Sequence, residues 1–331
     1  MKFCFFIFFF CTATTTAIAQ SKAGITGIPD TSYTINGDYQ KTLKAYPFIK
    51  LVREVEQGNV TEKKNIIYCN KGTRKLKLDV FYVKQKKPVK QTAIIFLHGG
   101  GWRSGNRTMH YPLAQRLAKL GYVCFTPEYR LSTEALYPAA VYDVKAAIRW
   151  VRRHAKIFQI DPSRIVIAGH SAGGELAALM GATNGNPAFE DEGCTSNYSS
   201  FVNAVIDIDG TLAFIHPESG EGDDSKRISA ATNWFGYSKT ENPALWNQAS
   251  PLTHAGKQTP PILFLNSSAA RMHAGREDFI QKINTFNIYS EVKSFDDAPH
   301  TFCFYEPWFD PMINAIDTFL RNVFQQTKQA N

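Results

Sequence analysis

Ser171 lies in the stretch Gly169-His170-Ser171-Ala172-Gly173-Gly174, after the apolar run Ile165-Val166-Ile167-Ala168 and before the helix-forming run Glu175-Leu176-Ala177-Ala178-Leu179-Met180. Small residues on both sides let the backbone fold sharply between a strand and a helix. The hydroxyl then projects from the turn, and the helix N-terminus aims its free N–H groups at any negative charge formed there. That is the chemistry of a nucleophile. A glycine-flanked serine alone is as readily a turn or an N-cap, so the weight comes from two further pieces. The run Ala93-Ile94-Ile95-Phe96-Leu97 empties into His98-Gly99-Gly100-Gly101-Trp102. Glycines after a strand let backbone amides approach a ligand, and together with the Ala172 amide they would surround the oxyanion of a tetrahedral intermediate. His300 follows Pro299 and the strand-like run of residues 289–295, where a general base is needed.

The elements that must hold these residues are strands alternating with helical segments, such as residues 114–120, 144–154 and 279–286. That alternation implies a parallel sheet with helical crossovers. Length favours one large α/β domain over two independent ones. There are no internal repeats or low-complexity tracts. A polar stretch, residues 217–226, follows the sixth strand and is expected to wall the substrate pocket together with Trp234, Phe235 and Tyr237.

At the serine motif, the glycine loop and the late histidine, over about residues 65–324, the chain resembles the α/β-hydrolase superfamily. Within it, the similarity is to the HGGG-containing carboxylesterases and the secreted bacterial carbohydrate esterases close to them. Residues 122–131 look like the family's fourth strand and following loop, and residues 137–144 like the helix start before the nucleophile strand. The resemblance implies an α/β-hydrolase fold: a mostly parallel central sheet with helices on both faces. Carried over by position, Ser171 is the nucleophile, His300 the base, and Gly100, Gly101 and Ala172 the oxyanion donors. Trp102 and His170, their immediate neighbours, are expected to touch substrate.

The acid does not carry over cleanly. The family places it just past the seventh strand, residues 261–265, but Asn266-Ser267-Ser268-Ala269-Ala270-Arg271 contains no carboxylate. The next acids are Glu277 and Asp278, while Asp207 and Asp209 close the sixth strand. The order of expectation is Asp278, then Glu277, then Asp209. Asp296 and Asp297 stand too near His300 in sequence, and Asp143 fits a structural role.

The N-terminus reads as an export signal over residues 1–19: a basic start at Lys2, an apolar stretch from Phe3 to Cys11, and Ala17-Ile18-Ala19 before Gln20. The stretch is too short to span a bilayer. Cys11 raises a lipid anchor but lies inside the apolar region rather than after it. A periplasmic or extracellular protein follows, with residues 20–61 as an N-terminal extension and 62–331 as the catalytic domain. Export permits disulfides among Cys69, Cys124, Cys194 and Cys303; Cys124, in a buried strand, reads as a core thiol, and spacing fixes no pairing. No C-x-x-C pair or histidine cluster with ligand spacing appears, so no metal or organic cofactor is expected.

Basic residues outnumber acidic ones 37 to 29, and the leader carries only one of them, Lys2. A scattered excess usually reflects a solvated surface, yet an exported basic esterase suits an anionic polymer. Arg271 and Arg276, in the loop after the seventh strand, are placed to pair with a substrate carboxylate. Salt bridges to Glu277 or Asp278 explain them almost as well. Nucleic acid fits poorly, since no recognition helix or basic-aromatic interleaving accompanies the charge. Around residues 266–278 the chain also resembles exported bacterial hydrolases of plant cell-wall polysaccharides, which implies removal of methyl or acetyl esters, with pectin favoured. An exported peptidase or small-molecule esterase is the enzymatic alternative. A non-catalytic binding protein on the hydrolase fold is the other, with the missing acid as its support.

Overall fold

Apolar runs without alternation need cover on both faces, and here they form the middle of an eight-stranded sheet. The structure, a computed structural model, describes residues 24–54, 58–85 and 89–329; the expected leader and Cys11 lie outside the described residues. The sheet consists of β1 (Val60–Lys71), β2 (Arg74–Val83), β3 (Gln91–Leu97), β4 (Val123–Pro127), β5 (Ile160–His170), β6 (Ala204–Ile208), β7 (Ile262–Asn266) and β8 (Ser290–Ser294). Their order is β1-β2-β4-β3-β5-β6-β7-β8. β2 runs antiparallel to β1 and β4, and every other neighbouring pair is parallel.

Side chains alternate between two cores. Ile94, Phe96, Val166, Ala168, Ile206 and Leu263 face one; Ala93, Ile95, Leu97, Ile167, Val205 and Phe264 face the other. After α1 (Ile35–Thr42), the first core is closed by α2 (Tyr111–Lys119), through Leu113 and Leu117. The second is closed by α3 (Ala139–Arg153) and α4 (Ala172–Ala182), through Val144, Ile148, Leu176 and Leu179. Three short helices, α5 (Ala230–Phe235), α6 (Pro243–Ala249) and α7 (Pro251–His254), fill the β6–β7 crossover. α8 (Arg276–Asn284) returns on the α4 side, and α9 (Phe309–Gln329) on the α2 side.

Register positions the site. Leu97 pairs with Gly169, His170 with Ile208, and Ile208 with Leu265, so β3, β5, β6 and β7 end level. His98, Ser171, Asp209 and the loop opening at Ser267 therefore leave the sheet along one rim, where ligands bind in open parallel sheets.

The N-terminal segment packs against the chain that follows His300. Lys50–Leu51 pairs antiparallel with Tyr305–Glu306, just past His300. Tyr305 donates its hydroxyl to Asp38 at 2.5 Å, and Tyr46 packs edge-on against Trp308. α1 starts at Ile35 because Thr34 caps it, accepting the Gly37 N–H at 3.1 Å.

Cys69 on β1 is disulfide-bonded to Cys194 in the segment after α4, with Cα atoms 5.5 Å apart and a sequence separation of 125; Cys124 and Cys303 are buried thiols. Closing so long a loop restricts the unfolded chain by about 4 to 5 kcal/mol in the entropic account. The double variant Cys69→Ser/Cys194→Ser should lose about that much stability in urea unfolding while keeping the wild-type fold. Unchanged unfolding would show that the bridge constrains nothing.

Candidate active site

Ser171 sits between β5 and α4 with φ 57° and ψ −123°, a left-handed region that costs a non-glycine residue on the order of 1–3 kcal/mol. Its surroundings impose that conformation. The Ser171 N–H donates to the Ile208 carbonyl at 2.9 Å. A Cβ at Gly169 would lie 2.0 Å from the Gly173 carbonyl oxygen, and one at Gly173 would lie 2.2 Å from that of Leu97. Only glycines let the elbow close down on β3, and closure lifts the serine hydroxyl toward the rim.

Ser171 Oγ is 2.9 Å from His300 Nε2, and His300 Nδ1 is 3.0 Å from Asp209 Oδ2. In this arrangement the hydroxyl donates to Nε2 and the Nδ1–H donates to the carboxylate. Asp209 is fully buried, holds φ 52°, and donates its own N–H to the Leu265 carbonyl at 3.0 Å. Burial pushes its carboxyl up, but donors from His273, His300 and Ser267 outweigh that and hold it well below the usual carboxylate range.

The expected first choices for the acid are thereby corrected. Asp278 lies in the first turn of α8, with its side chain 58% exposed, and meets His216 Nε2 at 3.2 Å. Glu277 accepts from Arg276 Nε at 2.8 Å. Both sit where carboxylates complement a helix N-terminus, and the helix turns them away from His300. Asp207 is buried beneath the elbow and accepts the Gly210 N–H at 2.7 Å; burial raises it well above the ordinary value. The available sequence signal was positional: Asp209 stands just past the end of β6 as Ser171 stands just past β5.

The glycine loop is bent by Gly100 at φ 115° and Gly101 at φ 60°, with the Ser104 N–H returning to the Gly100 carbonyl at 3.0 Å. It lies against the nucleophile: a Cβ at Gly99 would be 3.1 Å from that of Ser171. Ala172 opens α4, so its N–H belongs to the first turn that lacks intrahelical partners. The start of the glycine loop, at Gly99, and the first turn of α4, at Ala172, thus flank the serine.

Trp102 and His170 do not line a pocket. Trp102 is 3% exposed; it stacks on Trp234 with centroids 4.8 Å apart and donates Nε1–H to Glu175 Oε2 at 3.0 Å. It is the floor of the glycine loop. Trp234 and Phe235, expected as pocket wall, are fully buried because α5 packs its aromatic side inward under that loop. The Tyr237 carbonyl is taken by Trp246 Nε1 at 3.1 Å. His170 is 2% exposed, and its Nε2–H donates to the His300 carbonyl at 2.9 Å. Burial first, then the neighbouring His300, lowers its pKa to about 4, so it is a neutral strut between the elbow and the His300 turn.

Arg276 is also committed internally. Its Nη1 donates to Asn266 Oδ1 at 2.6 Å, and the rest of its guanidinium goes to Glu277. Arg271 differs: its side chain is 57% exposed, with Glu221 3.7 Å away. Among the described residues, no group of three or more His, Cys, Asp or Glu side chains is arranged to hold a metal ion.

A family model described as BD-FAE matches residues 78–272. The chain belongs to the BD-FAE family. Esterase LipC of Mycobacterium tuberculosis is 31% identical over 194 residues, 58% of this chain and 47% of LipC. Esterase LipQ of the same organism is 29% identical over 198 residues, 59% of this chain and 46% of LipQ. The chain thus spans about half the length of these curated relatives. A solved thermophilic esterase from Thermogutta terrifontis with butyrate bound is 25% identical, with a TM-score of 0.65 over 80% of this chain and 94% of that one. A truncated carbohydrate esterase from gut microbiota, 23% identical, superposes with a TM-score of 0.66 over 81% of this chain and 99% of that one, and speaks for the fold alone. The fold is that of the α/β-hydrolases.

Two expectations follow. Asp209→Asn should lower kcat on a small ester by about 10⁴, the cost of losing the acid in a serine triad, while Asp278→Asn should stay within about twofold; the reverse pattern in steady-state kinetics would return the acid to α8. The second concerns Glu175, whose burial lifts its carboxyl well above the ordinary 4.5. Its proton is bound more tightly in the folded protein, so the associated stability is full below about pH 4.5 and is lost as pH rises toward the folded value. Glu175→Gln keeps an acceptor for Trp102 without titrating. Its stability relative to wild type should therefore rise from about pH 5 to about pH 8, and a flat difference in unfolding measurements would contradict the burial argument.

Proposed function

We propose that the protein is a serine-dependent carboxylic ester hydrolase working by two-step acyl transfer. The observation that carries this reading is the continuous chain from Ser171 Oγ through His300 to the buried Asp209, set against the glycine loop. His300 Nε2 takes the hydroxyl proton as Ser171 attacks the ester carbonyl. Asp209 fixes the tautomer that leaves Nε2 free to accept and offsets the charge of the imidazolium. The oxyanion forms against the N–H groups of Gly100, Gly101 and Ala172. His300 then protonates the departing alcohol, and water repeats the sequence on the acyl-enzyme. A binding protein would need no ionised acid behind the histidine, and with Asp209 in place that alternative loses its support.

The finer reading is removal of methyl or acetyl esters from a plant cell-wall polysaccharide in the periplasm or outside the cell, with pectin favoured. The signal-like N-terminus supports export, as does the Cys69–Cys194 disulfide, which persists in oxidising compartments. The excess of basic residues supports an anionic polymer. Arg271 is the guanidinium with the exposure to meet a uronate at the rim; Arg276 is spent on Asn266 and Glu277.

A fluorophosphonate probe should label wild-type protein at Ser171 and leave Ser171→Ala unlabelled; a folded wild type that does not label would overturn the hydrolase reading. Release of methanol and acetate from methyl-esterified pectin, acetylated pectin and acetylated xylan identifies the ester. Arg271→Ala should weaken hydrolysis of partly esterified polygalacturonate severalfold, about tenfold for one lost charge-assisted bond, while sparing nitrophenyl acetate. Equal losses on both substrates would leave a serine esterase without a uronate-reading arginine.

A further inference from the structure

The buried carboxylate of Asp209 carries a second imidazole. Its Oδ1 accepts the Ser267 N–H at 2.8 Å and lies 3.2 Å from His273 Nε2. Its Oδ2 accepts from His300 Nδ1 at 3.0 Å and from the Ser267 hydroxyl. Two donors on each oxygen occupy the four acceptor sites of an ionised carboxylate. His273 closes the short turn Ala270–His273, which is anchored by the buried Met272. The next carbonyl, that of Ala274, takes the Leu212 and Ala213 N–H groups at 3.0 and 3.1 Å, so the loop after β7 is stitched to the loop that follows Asp209. The loop from which the sequence suggested an acid thus presents a histidine to an acid supplied by its neighbour.

We propose that His273 is a positioning residue of the hydrolytic site: by donating Nε2–H to Oδ1, it keeps Asp209 ionised and holds Oδ2 toward His300. This rests on the triad reading above. A carboxylate with no exposure is driven toward its neutral form unless hydrogen bonds stabilise the charge, and a neutral Asp209 cannot balance an imidazolium on His300. Serine alone supplies one donor to each oxygen. The second donor on Oδ1 fixes the rotation of the carboxylate group, and with it the direction of Oδ2. An imidazole suits the position because in its neutral form it donates a hydrogen bond without a full positive charge. A lysine or arginine there would compete with the imidazolium for the same carboxylate.

The test compares His273→Gln with His273→Leu. Both have similar bulk, and only glutamine retains an N–H donor in the place of Nε2. Measured on nitrophenyl acetate, His273→Leu should lose about 10- to 100-fold in kcat with KM within about twofold, and should react with the fluorophosphonate correspondingly slowly. His273→Gln should recover most of both. Urea unfolding of each variant establishes that the comparison is between folded proteins. Equal losses in the two variants, a loss confined to KM, or wild-type turnover in His273→Leu would each overturn the proposal while leaving the triad reading standing. A wild type that neither hydrolyses esters nor labels at Ser171 would overturn both.

Discussion

Because a one-residue slip turns every side chain of a strand to the opposite face, the register that pairs His170 with Ile208 and Ile208 with Leu265 does two things at once. It keeps apolar residues of β5, β6 and β7 directed into both cores, and it ends the three strands at one height. Ser171 and Asp209 leave the sheet one step beyond those ends, each donating its N–H to the last carbonyl region of the adjacent strand, at Ile208 and Leu265. Neither functional side chain would face His300 if either pairing moved by a single residue. The chemistry at the rim therefore depends on cores that never touch substrate.

Level strands bring the groups together; holding them there costs free energy that the surroundings offset. Ser171 and Asp209 both sit at positive φ, an uncommon region for any residue other than glycine, though aspartate enters it more readily than serine. Asp209 is also a charge with no exposure, stabilised by donors from three residues. The neutral groups are as purposeful as the charged one. His98, His110 and His170 are buried, and burial lowers their pKa values to about 4, about 3 and about 4, so cations do not crowd the region into which His300 must accept a proton. Behind the glycine loop, Trp102, Trp234 and Glu175 form a rigid floor, as a preorganised set of donors requires.

Much of this was legible in the sequence because it is local. The elbow, the glycine run and the late histidine are each a short pattern attached to an apolar strand, and strands read as runs. What the sequence hid is what depends on pairing across the fold. Asp209 lay behind Asp278 because the resemblance placed the acid past β7, and only the β6–β7 register shows that a residue just past β6 reaches His300. Trp102 and His170 are near the reacting atoms in sequence, but their burial is imposed by α5 and by the His300 turn. For Arg276 the sequence left a substrate carboxylate and a salt bridge to Glu277 or Asp278 open, and the fold commits it to Asn266 and Glu277. The Cys69–Cys194 pairing links β1 to the far end of α4's connection, 125 residues away, a distance that spacing rules do not bridge.

The central claim is that an ionised, buried Asp209 holds the Nδ1 proton of His300. The most direct measurement is the proton NMR spectrum of the folded protein, in which an imidazole N–H shared with a buried carboxylate resonates far downfield and exchanges slowly with water. In wild type the His300 Nδ1–H should give such a resonance, kept in Asp278→Asn and in His273→Gln, which removes the other imidazole on Asp209, and lost in Asp209→Asn. A resonance that survives in Asp209→Asn and disappears in Asp278→Asn would contradict the claim.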